Sequence, residues 1–165
     1  MIKLKKKILI IVLVTFFIDQ FIKLLAIKYL TNVAIIPGFL SLVFAKNKGV
    51  AFSLFWGNRW AIIALSILLL SFLIHVLSKE YLSKKENDNF KNVTFGLLIG
   101  GIIGNLFDRI FRGYVIDYVS LNIFGYAFPI FNLADVCISV SVILLLISSI
   151  KEEKENKNKK VNVCL

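Results

Sequence analysis

Four acidic residues stand where an apolar chain has little reason to carry them: Asp19, Asp108, Asp117 and Asp135 lie inside or at the edge of hydrophobic stretches. A carboxylate at the centre of a membrane helix costs about 2.5–3.5 kcal/mol even on a lenient insertion scale, so four facing lipid would cost roughly 10 kcal/mol. They must face a protein interior or water, which makes them candidates for chemistry. Asp117 and Asp135 form the leading pair. Two carboxylates held close together cannot both ionise easily, so one keeps a proton. The ionised partner can take a proton from water while the protonated one donates to a carbonyl oxygen, which is hydrolysis of the aspartic-protease type. A plainer alternative stands beside it: Asp135 N-caps the helix that follows, and Asp117 is a solvated loop acid.

The neighbouring polar residues also carry two readings each. Asp108-Arg109 closes an apolar segment and could be an interfacial anchor or a structural salt bridge, with Arg109 binding a lipid phosphate or bracing a loop. Asn105, one turn before Arg109, and Asn132, three residues before Asp135, could fix the carboxylates by hydrogen bonding or simply join helices. Asp19 and Lys23 are four apart on one helical face and can pair; a buried structural pair and a substrate role both fit. Gly96, Gly100 and Gly104, with Gly101 beside them, have the spacing that lets helix backbones approach closely in lipid. His75, the single histidine, has no serine, acid or metal-ligand partners at catalytic spacing.

The elements that must hold these residues are membrane spans. The chain has 165 residues, of which 58% are hydrophobic, and its mean hydropathy is +0.82; this composition indicates an integral membrane protein of one domain over residues 1–150. Four spans are expected, at about 8–27, 60–77, 93–107 and 133–150, the last two short. The net charge of +10 does not point to nucleic acid. The basic residues cluster at Lys3–Lys7, Lys79–Lys91 and Lys151–Lys160, each against an apolar segment, as cytoplasmic flanks do. Phospholipid is therefore the surface partner, and both termini are expected in the cytoplasm. The start, KLKKKILIIVLVTFF, imitates a signal peptide, but its apolar run continues through Asp19 and Lys23 to Ile27 and reads as a retained span. Cys137 and Cys164 fit no metal spacing or disulfide framework.

Two segments fall on the outer side. Residues 33–56 are rich in strand formers, with Asn47-Lys48-Gly49 as a turn between two runs, and are expected to form a small β-rich platform at the membrane surface. Residues 109–131 are moderately polar with several aromatics, which suit the headgroup zone. At 1.5 Å rise per residue, Asp108 and Asp135 each lie about 22 Å from the cytoplasmic ends of their helices, so the acids converge on the outer half of the bilayer. The tail over 151–165 is charged and expected to be disordered.

DQFIK (Asp19 to Lys23), NKGVAFSLF (Asn47 to Phe55), GGIIGNLFDRIFRGYVIDY (Gly100 to Tyr118) and FNLADVCI (Phe131 to Ile138) resemble the signature blocks of the lipoprotein signal peptidases, the type II signal peptidases of bacteria. The resemblance covers nearly the whole chain, and its third and fourth blocks together are highly specific. It implies an intramembrane aspartyl endopeptidase that removes the signal peptide from diacylglyceryl-modified prolipoproteins, cutting before the lipidated cysteine. The family's catalytic aspartates fall on Asp117 and Asp135. Its supporting residues fall on Asp19, Lys23, Asn47, Gly49, Asn105, Arg109 and Asn132, with Asp108 beside them. It further implies a monomer in the bacterial cell membrane, a site that opens outward, and no cofactor or metal. Tyr118 replaces the commoner Phe of the third block. The competing readings are a small ion-coupled transporter or channel subunit, with Asp19, Asp108 and Asp135 as a proton path, and a non-catalytic membrane adaptor. The transporter needs polar residues through the whole membrane, and the fourth span has no charge after Asp135 until its cytoplasmic end.

Overall fold

The computed structural model of the chain describes residues 6–49, 58–83 and 89–163. Within them lie four long helices: α1 (Lys6–Tyr29), α2 (Arg59–Ser83), α3 (Asn89–Phe111) and α4 (Leu133–Val163). Each is long and apolar enough to cross a membrane. The chain's two prolines, Pro37 and Pro129, fall outside all of them, so every helix can satisfy its own backbone, as a bilayer demands.

α3 is the axis of the bundle. In its spanning window 61% of residues are buried, against 33% for α1, 17% for α2 and 11% for α4. Its glycines explain the close fit. A Cβ at Gly96, Gly100 or Gly104 would come within 2.6–2.7 Å of Ile11, Thr15 and Asp19, which follow the same four-residue spacing along α1. A Cβ at Gly101 would meet the Ala134 carbonyl of α4 at 2.7 Å. Backbone contact replaces side-chain contact on these faces, the usual way for helices to associate in lipid. α2 leans on α3, and among the described residues it stays apart from α4. An apolar cluster of Ile8, Val12, Leu77, Phe95 and Ile99 fills the end of the bundle far from the sheet.

The other end, where α1 and α3 finish and α2 and α4 begin, carries a four-stranded antiparallel sheet in the order β1-β2-β3-β4. Its strands are β1 (Asn32–Ile36), β2 (Leu40–Asn47), β3 (Val115–Ile123) and β4 (Tyr126–Ala127). Gly113, at φ +83°, turns the chain out of α3; with Arg112 it donates its N–H to the Asp108 carbonyl, closing the helix end. Ile116 and Tyr118 of β3 then pack on Ala26 of α1.

Three expectations change. The strand pairing is not a hairpin about Asn47-Lys48-Gly49. β2 pairs back onto β1 around Pro37-Gly38 and forward onto β3, while residues 50–57 lie outside the described residues. The partner strand comes from residues 109–131, which the sequence showed only as aromatic and moderately polar. The helix holding the third span runs from Asn89 to Phe111 rather than about 93–107: Asp108 and Arg109 are buried against partners at one end, and Asn89 accepts a hydrogen bond from Lys7 at the other. The tail is helical to Val163: Lys and Glu are good helix formers, and α4 has already met the cost of nucleation.

Candidate active site

β3 sets the position of Asp117. On this strand Val115 and Asp117 face a cavity, while Ile116 and Tyr118 face α1. The pairing with β2 slips just here: Leu42 opposes Val119 and Ala45 opposes Asp117, so Val43 and Phe44 together face one residue. Such a bulge re-aims neighbouring side chains. On β2, Ala45 and Asn47 face the same cavity. Asn47 donates its amide to Asp117 Oδ2 at 2.9 Å and accepts the Gly49 N–H at 2.9 Å.

Asp135 sits in the first turn of α4, and Asn132 is the cap. The Asp135 N–H donates to Asn132 Oδ1 at 2.9 Å, and the Asn132 N–H returns to Asp135 Oδ2 at 3.2 Å, a reciprocal capping box. The two N–H groups between them go to other elements: Leu133 to the Tyr118 hydroxyl at 3.0 Å, and Ala134 to Asp19 Oδ1 at 3.1 Å. The four N–H groups that a helix start leaves open are thus all taken by side chains, from α1, β3 and α4's own cap.

The two aspartates meet through Asn132 and Asn105. Asn132 Nδ2 donates to Asp117 Oδ1 at 2.7 Å, and Asn105 Nδ2 donates to Asp135 Oδ1 at 2.7 Å. Asn132 Nδ2 also lies 3.2 Å from Asn105 Oδ1, linking the two supports. Arg109 Nη2 donates to the Gly49 carbonyl at 3.1 Å and so ties the loop after β2 to α3. Both carboxylates line one cavity of about 890 Å³, walled at membrane depth by Leu69 of α2, Ile102 of α3 and Ile138 and Val140 of α4. Burial first, then the neighbouring Asp135 charge, raises the Asp117 carboxyl to about 6, against the opposing bonds from Asn47 and Asn132. Burial likewise raises the Tyr118 hydroxyl to about 12.

Asp19, Lys23 and Asp108 lie behind the cavity, fully buried. Lys23 Nζ is 2.8 Å from Asp19 Oδ2 and 3.0 Å from Asp108 Oδ2, and donates to Asn105 Oδ1 at 2.9 Å. Asp108 also pairs with Arg112 and accepts the Ile116 N–H at 3.2 Å. Two residues here escaped the sequence reading. Gln20 Nε2 reaches Asp19 Oδ2 and Asp108 Oδ1, each at 3.2 Å, while its Oε1 accepts from Arg112 Nη1 at 2.7 Å. A signal existed for both. Arg112 follows Asp108 by four, the spacing that flagged Asp19 and Lys23, and Gln20 adjoins Asp19. His75 is exposed on α2 and takes no part. Among the described residues no group of three or more His, Cys, Asp or Glu converges on a metal-sized site.

Chemically, the arrangement offers two carboxylates on one cavity, each held by amide donors, beside apolar walls. The profile described as Signal peptidase (SPase) II matches residues 11–151 of the chain. A protein from Caldicellulosiruptor bescii called lipoprotein signal peptidase is 40% identical over 148 residues, covering 88% of this chain and 92% of its own. One of the same name from Halalkalibacterium halodurans is 33% identical, over 92% of this chain and 96% of its own. A solved bacterial membrane enzyme superposes with a TM-score of 0.79 at 30% identity, over 90% of each chain.

Proposed function

The chain belongs to the signal peptidase II family, and on that premise we propose that Asp117 and Asp135 are the catalytic pair of a peptidase acting on prolipoproteins. The observation that carries the assignment is the convergence of these two carboxylates, from β3 and α4, on one cavity. The pair shares one proton. Burial and the neighbouring Asp135 charge raise the Asp117 carboxyl to about 6, which suits it to the role of acid. Asp135 takes a proton from water as the water oxygen attacks the scissile carbonyl carbon. Asp117 gives its proton to the carbonyl oxygen. Collapse of the tetrahedral intermediate then breaks the C–N bond: the departing amine takes the proton from Asp135, and a hydroxyl of the intermediate returns its proton to Asp117 as the product carboxyl forms.

The substrate is a diacylglyceryl-modified precursor cut before its lipidated cysteine. Among the described residues α2 and α4 make no contact, and the cavity's Leu69, Ile138 and Val140 walls suit acyl chains and an apolar signal peptide. The basic flanks of the spans put the termini in the cytoplasm. The sheet and the cavity mouth then face outward, where a lipid-anchored precursor presents its cleavage site and water is available. The protein acts as a monomer in the bacterial cell membrane. The transporter alternative gains no support from these relatives.

The test is product analysis. Purified protein, given a diacylglyceryl-modified prolipoprotein, should release a mature fragment whose mass places the lipidated cysteine at its N-terminus, and should leave the unmodified precursor intact. Equal cleavage of both forms would overturn the substrate assignment.

A further inference from the structure

The two hairpins at the far end of the sheet are without charge. Residues 32–45 and 118–134 contain no Asp, Glu, Lys or Arg, in a chain that is 18% charged. Register places their tips side by side: Leu40 opposes Leu121, and the Asn122 N–H donates to the Phe39 carbonyl at 2.8 Å. The β3–β4 turn is Phe124-Gly125, with both residues at positive φ, +52° and +86°. Turns of this kind favour Asn-Gly or Asp-Gly, which suit water and the left-handed backbone. Here the first position is a phenylalanine, fully exposed at 105%. No intramolecular packing offsets its conformation. Around it Ile123, Tyr126, Phe128, Ile36 and Phe39 are also exposed.

We propose that these two tips dip into the outer-leaflet interface and moor the sheet to the bilayer. The occupant of this surface is lipid because its apolar character continues that of the lipid-facing spans. Phe21, Leu24, Ile27 and Tyr29 are exposed at the outer end of α1, and β1, which starts at Asn32, is exposed along its whole length with Val33, Ile35 and Ile36 outward. Lys28 over the Tyr29 ring and Arg59 over the Trp60 ring mark the headgroup level beside it. Depth is bounded by hydrogen bonding. β1 is an edge strand, and open strand edges do not enter hydrocarbon. The tips therefore rest at the headgroup–acyl boundary, where Phe and Tyr side chains are at home. Asp117 lies seven residues from Phe124 on this sheet, about 23 Å at the rise of a strand. The sheet is moored at one end and carries the proposed catalytic carboxylate at the other, so the bilayer surface sets the height of the site.

The mooring needs only the spans and the sheet, not catalysis, so it is tested apart from the peptidase reading. Phe124→Trp protein is placed in liposomes of phosphatidylcholine brominated at shallow or deep acyl positions. Its emission is compared with that of the parent, whose Trp56 and Trp60 give the background. The added emission should be quenched several-fold more by shallow bromines than by aqueous acrylamide, and weakly by deep ones. Quenching by acrylamide alone would overturn the proposal. Shielding that appears only as protein per liposome rises would assign the tips to a second copy, and shielding only on adding precursor would assign them to substrate; either result overturns it too. Phe124→Gly, which relieves the backbone, supplies a second readout. It should cleave detergent-solubilised precursor at the parental rate and bilayer-embedded precursor several-fold more slowly; equal rates in both would count against mooring. Absence of cleavage by the parent would refute the peptidase reading and leave the quenching result standing.

Discussion

At Asp117 a single carboxyl sets stability against chemistry. Its folded value of about 6 lies above the ordinary 3.8. The folded protein therefore binds this proton more tightly than the unfolded chain, and the stability it contributes is lost as pH rises through that window. Asp117→Asn removes the charge but keeps only one of the two oxygens to which Asn47 and Asn132 donate, so its Tm relative to the parent's should rise from pH 4 to pH 7; a relative Tm that falls over that range would contradict the burial argument. Asn47 acts on the same proton. Its hydrogen bond lowers the Asp117 value, so Asn47→Ala should move the alkaline limb of the kcat/KM profile to higher pH, as a full pH–rate series in detergent would show. Both aspartates, Asn105 and Asn132 stood out in the sequence because polar residues are rare inside and at the edges of apolar segments. Gln20 and Arg112 did not, since an amide beside an acid and an arginine at a helix end are ordinary features until the structure turns both toward Asp108.

Among the elements, α4's first turn and the glycine face of α3 fix the geometry. Tyr118→Phe deletes the acceptor of the Leu133 N–H. Water or a shifted neighbour can replace it in part, so the loss should be about 1 kcal/mol, with cleavage within a few-fold of the parent. Gly104→Ala sets a methyl 2.6 Å from Asp19 Oδ2. It should cost roughly 1–3 kcal/mol by overpacking and lower activity as well, because Asp19 holds the Ala134 N–H next to Asp135; thermal unfolding and a cleavage assay on the same sample separate the two effects. The helices and the glycine face could be seen in advance, since hydropathy and four-residue spacing are local signals. The sheet could not be placed. β2 and β3 are joined across about seventy residues, as the bond from Asn47 to Asp117 shows, and nothing in either segment names its partner. The bulge beside Asp117 exists only once that pairing is made.

For the whole molecule, a buried ion cluster ties α1 and α3 to the base of the sheet and the start of α4. Lys23 is its centre, shared by Asp19 and Asp108 and bonded to Asn105. Removing one partner leaves buried charge uncompensated, at about 3–5 kcal/mol. Lys23→Met should therefore unfold far more readily in denaturing detergent, and added salt should not reproduce its effect, because the cluster is shielded from solvent. The same scaffold brings Asp117, on β3, to Asp135, in the first turn of α4. Whether these two carboxylates perform the hydrolysis is tested most directly by incubating parent, Asp117→Asn and Asp135→Asn proteins with a diacylglyceryl-modified prolipoprotein and following the mature fragment on a gel. The parent should convert the precursor, and each variant, folded and inserted, should be slower by about 10²–10⁴-fold, the contribution of a positioned acid or base. Conversion by either variant at a rate near the parent's would contradict the catalytic pair.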